Sequence, residues 1–466
     1  MTTDTETDIE RGRAAFQRGD YAAAETCFGC ALAAGHDDAK VRHHLGFCAR
    51  VRGDLDAADV HYSAALEQAP TDAHLHNNLG ETRRSLGRHA EAVALFRRGL
   101  ALAPDAAPIA ANLGGLLLKL DRPDLALGPL QRAAELDPAQ LPVFSDLAVC
   151  LCSLNRYEDA LPVYRHIYQT QPSANDARYL EALALLALGD FKNGWRMHEV
   201  RWHAHLGQAL RRRHPGPYWL GEDDLTGRTI LVHAEQGHGD TVQFLRYIPL
   251  LRQKAGRVVL EVQPGLKPLL AGWPDVFARD EDLPGYDYQC SFMSLPRAFQ
   301  TIPSAAPYLT VPPERLAAWR ARLGPRDGRR RVAIAWTGAS AIWNRSIPFA
   351  MLEPLLRRPD CEFHIVQTGS GPHMPGVVDH GSELVDFADT AAIVDLMDVV
   401  ISVDTVLAHL GGALAKPVCT LLPFGAEYRW LIGRDDSPWY PTMRLFRQPA
   451  LFDWPSVIGA VNEYLG

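Results

Sequence analysis

The amino-acid sequence predicts the mixed fold class α + α/β, in which an array of helical repeats is followed by two units of alternating strands and helices. Three observations predict it. Small and large apolar residues recur with a 34-residue period between residues 8 and 204. Short β-branched runs then alternate with helical segments. Finally, the apolar run 399–403 leads directly into Asp404 and Thr405, two residue types that cap helices.

The repeats keep several landmarks in one register. Three repeats have a Leu-Gly pair in the first helix, and the end repeats depart from it, with Arg11-Gly12 in the first; an alanine followed four residues later by a large apolar residue, and a closing proline, recur at the same step. The pairs are Leu45-Gly46, Leu79-Gly80 and Leu113-Gly114; the alanines are Ala24, Ala58, Ala92, Ala126 and Ala160; the large residues are Phe28, Tyr62, Phe96, Leu130 and Tyr164; the prolines are Pro70, Pro104, Pro138 and Pro172. Small residues let two helices approach, large ones fill the gap, and proline stops a helix. The pattern resembles the tetratricopeptide repeat, with about six copies forming a superhelix.

Polar residues just before the Leu-Gly position are predicted to line the concave face of this superhelix. They are His44, Asn78, Asn112 and Asp146. Amide side chains both donate and accept hydrogen bonds, so a ladder of them can hold an extended peptide by its backbone. The groove is similar in this respect to that of the O-linked N-acetylglucosamine transferases. The alternative is that these side chains are merely solvated.

Composition excludes several classes of function. The formal net charge of −8 argues against a general nucleic-acid binder. The sequence shows neither the start of a signal peptide nor an apolar run long enough for a membrane span. Eight scattered cysteines are typical of a compartment where thiols stay reduced, so we expect a cytoplasmic protein.

The first α/β unit is assigned to residues 205–312. A strand at 229–234 leads into the motif 235–240, Glu-Gln-Gly-His-Gly-Asp, and a helix at 241–254 and a strand at 257–263 follow. Gly237 and Gly239 lack the third glycine of a dinucleotide fingerprint, so the motif is weak support for NAD.

The second α/β unit is assigned to residues 313–466. After a charged helix at 314–322, we predict strands at 332–336, 362–367, 399–403 and 418–422, and a final helix at 454–465. Parallel sheets bind ligands at the carboxyl ends of their strands. A helix that starts there aims free N–H groups and a positive dipole at one point, which suits a phosphate.

Residues 404–409 are the main candidates for such a site. Asp404 lies at the strand end, while Thr405 and His409 are four residues apart and share a helix face. The alternative is an ordinary capped turn with a core histidine.

Two facing α/β units are the layout of the glycosyltransferase-B fold, which joins two Rossmann-like units. The second half of the chain resembles the heptosyltransferase-like glycosyltransferases, and the whole chain is similar to bacterial proteins that join tetratricopeptide repeats to such a domain. The resemblance assigns Asp240 of the Gly-Asp pair as general base and Arg345 to the donor phosphates. It assigns Asp404, Thr405 and His409 to donor phosphate and sugar. Val406 departs from the family, which has glycine there.

The resemblance implies a metal-independent transfer of a sugar to a protein hydroxyl, flagellin being one such acceptor. The donor would be a nucleotide-sugar, used as co-substrate with no further cofactor. Further candidates for donor contacts are Gly338, Gln236, Gly239, Asp389, Thr390 and Glu427. A capping role explains Asp389 and Thr390 equally well, and helix capping is the alternative to the base role of Asp240.

Two other functions remain open at this point: a non-enzymatic repeat adaptor with a degenerate transferase domain, and a lipopolysaccharide glycosyltransferase. The sequence leaves the donor base, the sugar and the acceptor undetermined.

Overall fold

A computed structural model describes residues 2–205, 214–303, 306–338, 345–369 and 374–466. The chain divides into two compact units, residues 1–154 and 155–466. The division falls inside the predicted repeat array, so the last repeat helices belong to the same unit as the α/β structure. The predicted boundary between the repeats and the first α/β unit, at 204/205, lies at the end of the described range 2–205.

The repeat region is entirely helical over its described residues. Its helices are α1 (Thr2–Gln17), α2 (Tyr21–Ala33), α3 (Ala39–Arg52), α4 (Leu55–Gln68), α5 (Ala73–Ser85), α6 (His89–Leu102), α7 (Ala107–Lys119), α8 (Pro123–Leu136), α9 (Leu141–Ser153), α10 (Tyr157–Thr170), α11 (Asn175–Ala187) and α12 (Phe191–His198). In the first unit, α1 packs on α2, α3 on α4, α5 on α6 and α7 on α8.

The predicted packing roles in the repeats are confirmed. The glycine of each Leu-Gly pair faces the large residue of the same repeat, and a Cβ atom on Gly46 would lie 2.8 Å from the Tyr62 ring. A Cβ on Gly80 would lie 2.6 Å from the Phe96 ring. Only a residue without a side chain allows these helix pairs to approach so closely.

The first α/β unit contains a four-stranded parallel sheet in the order β3-β2-β1-β4. Its elements are β1 (Thr229–His233), α13 (His238–Phe244), α14 (Ile248–Arg252), β2 (Arg257–Val262), β3 (Val276–Ala278), β4 (Tyr288–Ser291) and α15 (Leu295–Phe299). The prediction of a single helix at 241–254 is wrong. Helical structure starts before residue 241, and a 3-10 turn at Leu245–Tyr247 separates α13 from α14.

The second α/β unit contains a six-stranded parallel sheet in the order β10-β9-β8-β5-β6-β7. Its elements are α16 (Pro313–Leu323), β5 (Arg330–Ala335), α17 (Phe349–Leu356), β6 (Cys361–Ile365), β7 (Val377–Asp379), α18 (Phe387–Leu396), β8 (Val399–Val403), α19 (Val406–Ala413), β9 (Val418–Leu422), β10 (Met443–Arg447) and α20 (Trp454–Leu465). The predicted bounds of β8, β9 and α20 are confirmed. Strands β8 and β9 are buried along both faces, as parallel strands covered by helices must be.

No helix among the described residues is both long and apolar enough to cross a membrane.

Candidate active site

Each sheet has a point at which its strand order reverses, and ligands of open α/β sheets bind at such points. In the first sheet the reversal lies between β1 and β4, because β2 and β3 lie on the other side of β1. In the second sheet it lies between β5 and β8. The helices that follow β1 and β8 are α13 and α19, and these two helices pack against each other. The two loops that the sequence singled out therefore meet.

Asp240 lies in the first turn of α13. Its carboxylate accepts a hydrogen bond of 2.7 Å from the backbone N–H of Gly237, so it caps this helix. The capping role considered from the sequence is thus present in the structure. The side chain is only 16% exposed.

Arg429 joins Asp240 to a second carboxylate. Its guanidinium is in close contact with Asp240 and with Glu427, and its Nε atom donates a 2.9 Å hydrogen bond to Gln243. Arg429 lies in a 3-10 turn (Tyr428–Trp430) that follows β9, whereas Gln243 lies on α13. One buried cation therefore spans the crevice between the two sheets.

Both carboxylates of this cluster have raised pKa values. Burial raises the pKa of Asp240, while the charge of Arg429 acts in the opposite direction. Burial raises the pKa of Glu427 from 4.5 to about 7, again opposed by Arg429 and reinforced by nearby Asp404. Two acids compete for one guanidinium, so the cluster holds protons more tightly than exposed carboxylates do.

A second ion pair occupies the reversal point of the second sheet. The Arg345 Nη1 atom lies 3.0 Å from the Asp404 carboxylate. Arg345 crosses over Gly338, where a Cβ atom would lie 2.6 Å from the Arg345 Nε atom. The structure therefore brings together three residues that the sequence assigned to donor binding.

His409 lies between the two clusters. Its Nδ1 atom is 2.9 Å from the Tyr440 hydroxyl, and its ring stacks on Trp430 with 5.4 Å between centroids. Burial lowers its pKa from 6.5 to about 3, with Asp404 opposing the shift, so the imidazole is neutral near pH 7. A Cβ atom on Gly239 would lie 2.8 Å from this ring.

Thr405 caps α19. Its hydroxyl accepts a 3.3 Å hydrogen bond from the Leu407 N–H and lies 2.9 Å from the Ser402 hydroxyl. The cap that the sequence predicted is confirmed, and it places the first turn of α19 beside Asp404.

Asp389 and Thr390 are not brought into either cluster. Asp389 accepts hydrogen bonds from Arg315 at 2.8 Å and from the Trp319 indole at 2.9 Å. Thr390 donates back to the Asp386 carbonyl, and Asp386 caps α18. The described contacts of both residues therefore stabilise the second α/β unit.

The loop after β1 is anchored by a buried ion pair. Arg201 donates hydrogen bonds of 2.8 and 2.9 Å to Glu235, which also accepts from Ser291 at the end of β4. Gln236 follows Glu235, and its carbonyl accepts a 3.0 Å hydrogen bond from Gln263. These contacts fix the backbone that leads to Asp240.

The predicted groove residues are half-buried and partly bonded to one another. The Asn78 amide lies 3.0 Å from the His43 ring, and the Asn112 amide donates a 2.9 Å hydrogen bond to Asn77. His44 stacks on the Phe28 ring instead, at 4.6 Å between centroids. These side chains therefore link neighbouring repeats.

Asp146 occupies the next position of the same series. The residue that would be its partner is Ala111, which has no polar side chain, and no described residue gives Asp146 a hydrogen bond. Burial raises its pKa. A Cβ atom on Gly115 would lie 3.2 Å from its carboxylate, so the glycine leaves this oxygen uncovered.

Three residues of the site were not identified from the sequence, namely Arg429, Gln243 and Tyr440. Arg429 could have been identified from its position, because it lies between Tyr428 and Trp430 shortly after a buried strand and close to the candidate Glu427. Within the described ranges, no three His, Cys, Asp or Glu side chains are grouped so that they could hold a metal ion.

Comparison with known families supports the assignment of the repeats. Tetratricopeptide-repeat family models match residues 37–105 in one case and residues 77–140 and 151–193 in another. The N-terminal region therefore contains tetratricopeptide repeats.

Among curated proteins, the chain is similar to Protein FlbA of Caulobacter vibrioides, with 28% identity over 330 residues. The match covers 62% of this chain and 54% of FlbA, so the chain spans about half the length of that relative.

Among solved structures, YrrB, described as a TPR protein with an unusual peptide-binding site, is 23% identical with a TM-score of 0.35. That match covers 39% of this chain and 92% of YrrB. Pseudomonas aeruginosa pilF is 20% identical with a TM-score of 0.37, over 44% of this chain and 97% of that one.

Proposed function

We propose that this protein is a glycosyltransferase that moves a sugar from a nucleotide-sugar to a hydroxyl group of a protein acceptor, flagellin or another surface protein. The observation that carries the proposal is the pairing of Asp240 with Arg429. A proton acceptor from one sheet and a cation from the other meet where α13 and α19 pack together. Transfer from an activated sugar requires these two groups at one point.

Asp240 would act as the general base. Its carboxylate takes the proton of the acceptor hydroxyl while the hydroxyl oxygen forms a bond to the anomeric carbon. The bond from that carbon to the donor phosphate breaks, and its electron pair leaves with the phosphate oxygen. The raised pKa of Asp240 brings its basicity closer to neutral pH, where proton abstraction is more effective.

The departing phosphate needs positive charge. Arg345 lies over Gly338 beside Asp404, and the first N–H groups of α19 start next to it. A helix N-terminus and an arginine together form a favourable phosphate site. These groups stabilise the charge that develops on the leaving group.

Arg429 would change partners when the donor binds. In the structure its guanidinium contacts both Asp240 and Glu427. A donor phosphate in the crevice would compete for the same guanidinium. When Arg429 pairs with the phosphate instead of Asp240, one oxygen of Asp240 becomes free to accept the proton of the acceptor hydroxyl. The base then becomes available only once the donor is in place.

The tetratricopeptide repeats would hold the protein acceptor. Such arrays bind extended segments on their concave surface. The uncovered carboxylate of Asp146 would accept hydrogen bonds from a backbone N–H or a basic side chain of the acceptor.

The first test measures donor binding. Melting temperature is recorded with UDP, GDP, ADP and CMP at concentrations well above the dissociation constant. We expect one nucleotide to raise the melting temperature, because a ligand at about 100 times its dissociation constant stabilises the folded state by about 2.7 kcal/mol. Arg345→Met should abolish the shift, whereas Arg357→Met, which replaces an exposed arginine just after the C-terminal end of α17, should keep it.

The second test measures transfer itself. The wild-type protein is incubated with purified flagellin and a panel of nucleotide-sugars, and the intact mass of flagellin is measured. A mass increase equal to one or more sugar residues supports the proposal.

If a nucleotide binds but no acceptor gains mass, the result favours the adaptor function, in which the ion cluster around Arg429 only stabilises the fold. The absence of any nucleotide shift would contradict both the donor site and the transferase.

A further inference from the structure

A cavity of about 610 Å³ lies outside the candidate active site. It is bounded by α12, by the turn that contains Leu220 and Glu222, and by α15 with the residues that follow it. All of these elements belong to the unit of residues 155–466. Its volume is within the range of pockets that bind small molecules.

The floor of the cavity is aromatic and rigid. Trp195 is only 3% exposed and meets the rings of Phe244 and Tyr428 edge-on, with centroid distances of 5.7 and 5.9 Å. Phe191 packs in the same manner on Trp439, at 5.9 Å. A floor held by so many ring contacts presents a fixed apolar surface to a ligand.

The rim of the cavity is positively charged. Lys192, Arg196 and Arg297 line it, and Glu222 is the one acidic residue among the lining residues. Arg297 lies 3.5 Å from Glu222, whose side chain is 66% exposed. No ion pair within the described ranges involves Lys192 or Arg196. The local charge is therefore positive, although the whole chain carries a net charge of −8.

We propose that this cavity binds a small anionic ligand that has an aromatic or aliphatic body. The body would lie against Trp195 and Phe191, and the acidic group would face Arg196 and Arg297. An apolar floor supplies affinity through burial, and the cationic rim selects for charge. The site is separate from the proposed transfer reaction and requires neither donor nor acceptor.

The experiment uses the fluorescent anion 8-anilinonaphthalene-1-sulfonate as probe with the full-length protein. We expect saturable binding with a blue-shifted emission. The double variant Arg196→Glu/Arg297→Glu should bind the probe roughly tenfold more weakly, because two attractive charges become repulsive. The matched control Arg132→Glu, an exposed arginine on α8, should bind it as the wild type does.

Competition experiments distinguish recognition of the ligand's charge from nonspecific apolar binding. The aromatic carboxylate 3-phenylpropionate should displace the probe, whereas 3-phenylpropanol, which has the same body without the charge, should not. Circular dichroism and melting temperature establish that each variant is folded.

Equal probe affinity in wild type and the double variant would overturn the proposal, as would equal displacement by the acid and the alcohol. Displacement by an acidic peptide and not by 3-phenylpropionate would overturn the assignment to a small ligand. Asp240→Asn should bind the probe normally, so this result is independent of whether transfer occurs.

Discussion

At the scale of single residues, the central feature is that Arg429 is shared by Asp240 and Glu427. A buried arginine between two acids is stable only if its charge is balanced, and removing one partner leaves an uncompensated charge. The sequence identified Asp240 from its position in the first strand-helix turn. It missed Arg429 because the two residues are 189 positions apart and no local pattern connects them.

Glu427→Gln should change the pH dependence of stability. The folded-state pKa of Glu427 is raised from 4.5 to about 7, so the folded state binds this proton more tightly and stability falls as pH rises between these values. Glutamine cannot ionise and removes this loss. The stability of the wild type relative to the variant should therefore drop between pH 5 and pH 8, on the order of 1–3 kcal/mol.

Urea unfolding at both pH values measures this difference. Glu135→Gln, an exposed glutamate on α8, is the control and should show no such change. A relative stability that is constant or that rises with pH would show that Glu427 is not held in its protonated form.

Gly239→Ala should destabilise the contact between α13 and α19. The added Cβ would lie 2.8 Å from His409, whose ring is fixed between Tyr440 and Trp430. Overpacking of this kind typically costs about 1–3 kcal/mol. Thermal unfolding compares it with Gly272→Ala, where a Cβ meets nothing within 4 Å; equal melting temperatures of the two variants would contradict the close approach of Gly239 to His409.

At the scale of elements, the repeats followed their sequence pattern closely because every landmark is local. The 34-residue period identified the small and the large positions, and the structure shows that the glycines of the Leu-Gly pairs face the large residues. Strands β8 and β9 of the second α/β unit were also predicted, because each appears in the sequence as a short, mainly apolar run. Strands β3, β4, β7 and β10 were not predicted; β3 and β7 have three residues each, which carry too little pattern to distinguish a strand from a loop.

The side-chain contacts that link neighbouring repeats recur at a regular sequence interval, and this series ends at Asp146. Two successive links, Asn78 to His43 and Asn112 to Asn77, each span 35 residues. The next step pairs Asp146 with Ala111, which offers no partner. A half-buried acid without a partner reduces stability, and proteins retain such groups where binding requires them.

Asp146→Asn should therefore stabilise the protein and weaken acceptor binding. Because the pKa of Asp146 is raised in the folded state, its ionised form destabilises the fold above its unfolded pKa, and an amide avoids that cost. We expect a gain of about 0.5–1 kcal/mol at pH 7 in urea unfolding. The KM for a protein acceptor should rise while the affinity for the nucleotide is unchanged.

Asp105→Asn, which replaces an exposed carboxylate in the turn between α6 and α7, serves as control for the loss of one charge. A variant at Asp146 that is less stable than the wild type would contradict the absence of a partner, and an unchanged KM would remove Asp146 from the acceptor site.

At the scale of the whole molecule, the sequence predicted the order of its parts, repeats first and two parallel sheets after them. It placed the site at the carboxyl ends of β1 and β8, and the structure brings the loops after these strands together. The alternation of strands and helices dictates parallel sheets, and parallel sheets dictate where ligands bind. Which charged side chains meet there depends on packing between distant segments, and that information is not present in any one stretch of the chain.

The most direct test of the proposed chemistry compares Asp240→Asn with the wild type in a single turnover. Asparagine keeps an oxygen that can accept the Gly237 N–H, so the start of α13 is preserved, but it cannot take a proton. Transfer to the acceptor is followed by intact mass, and donor affinity is measured by calorimetry on the same samples. We predict a transfer rate roughly 10²- to 10⁴-fold lower with donor affinity no weaker than that of the wild type. A variant that transfers sugar at the wild-type rate would contradict the role of Asp240 as the base.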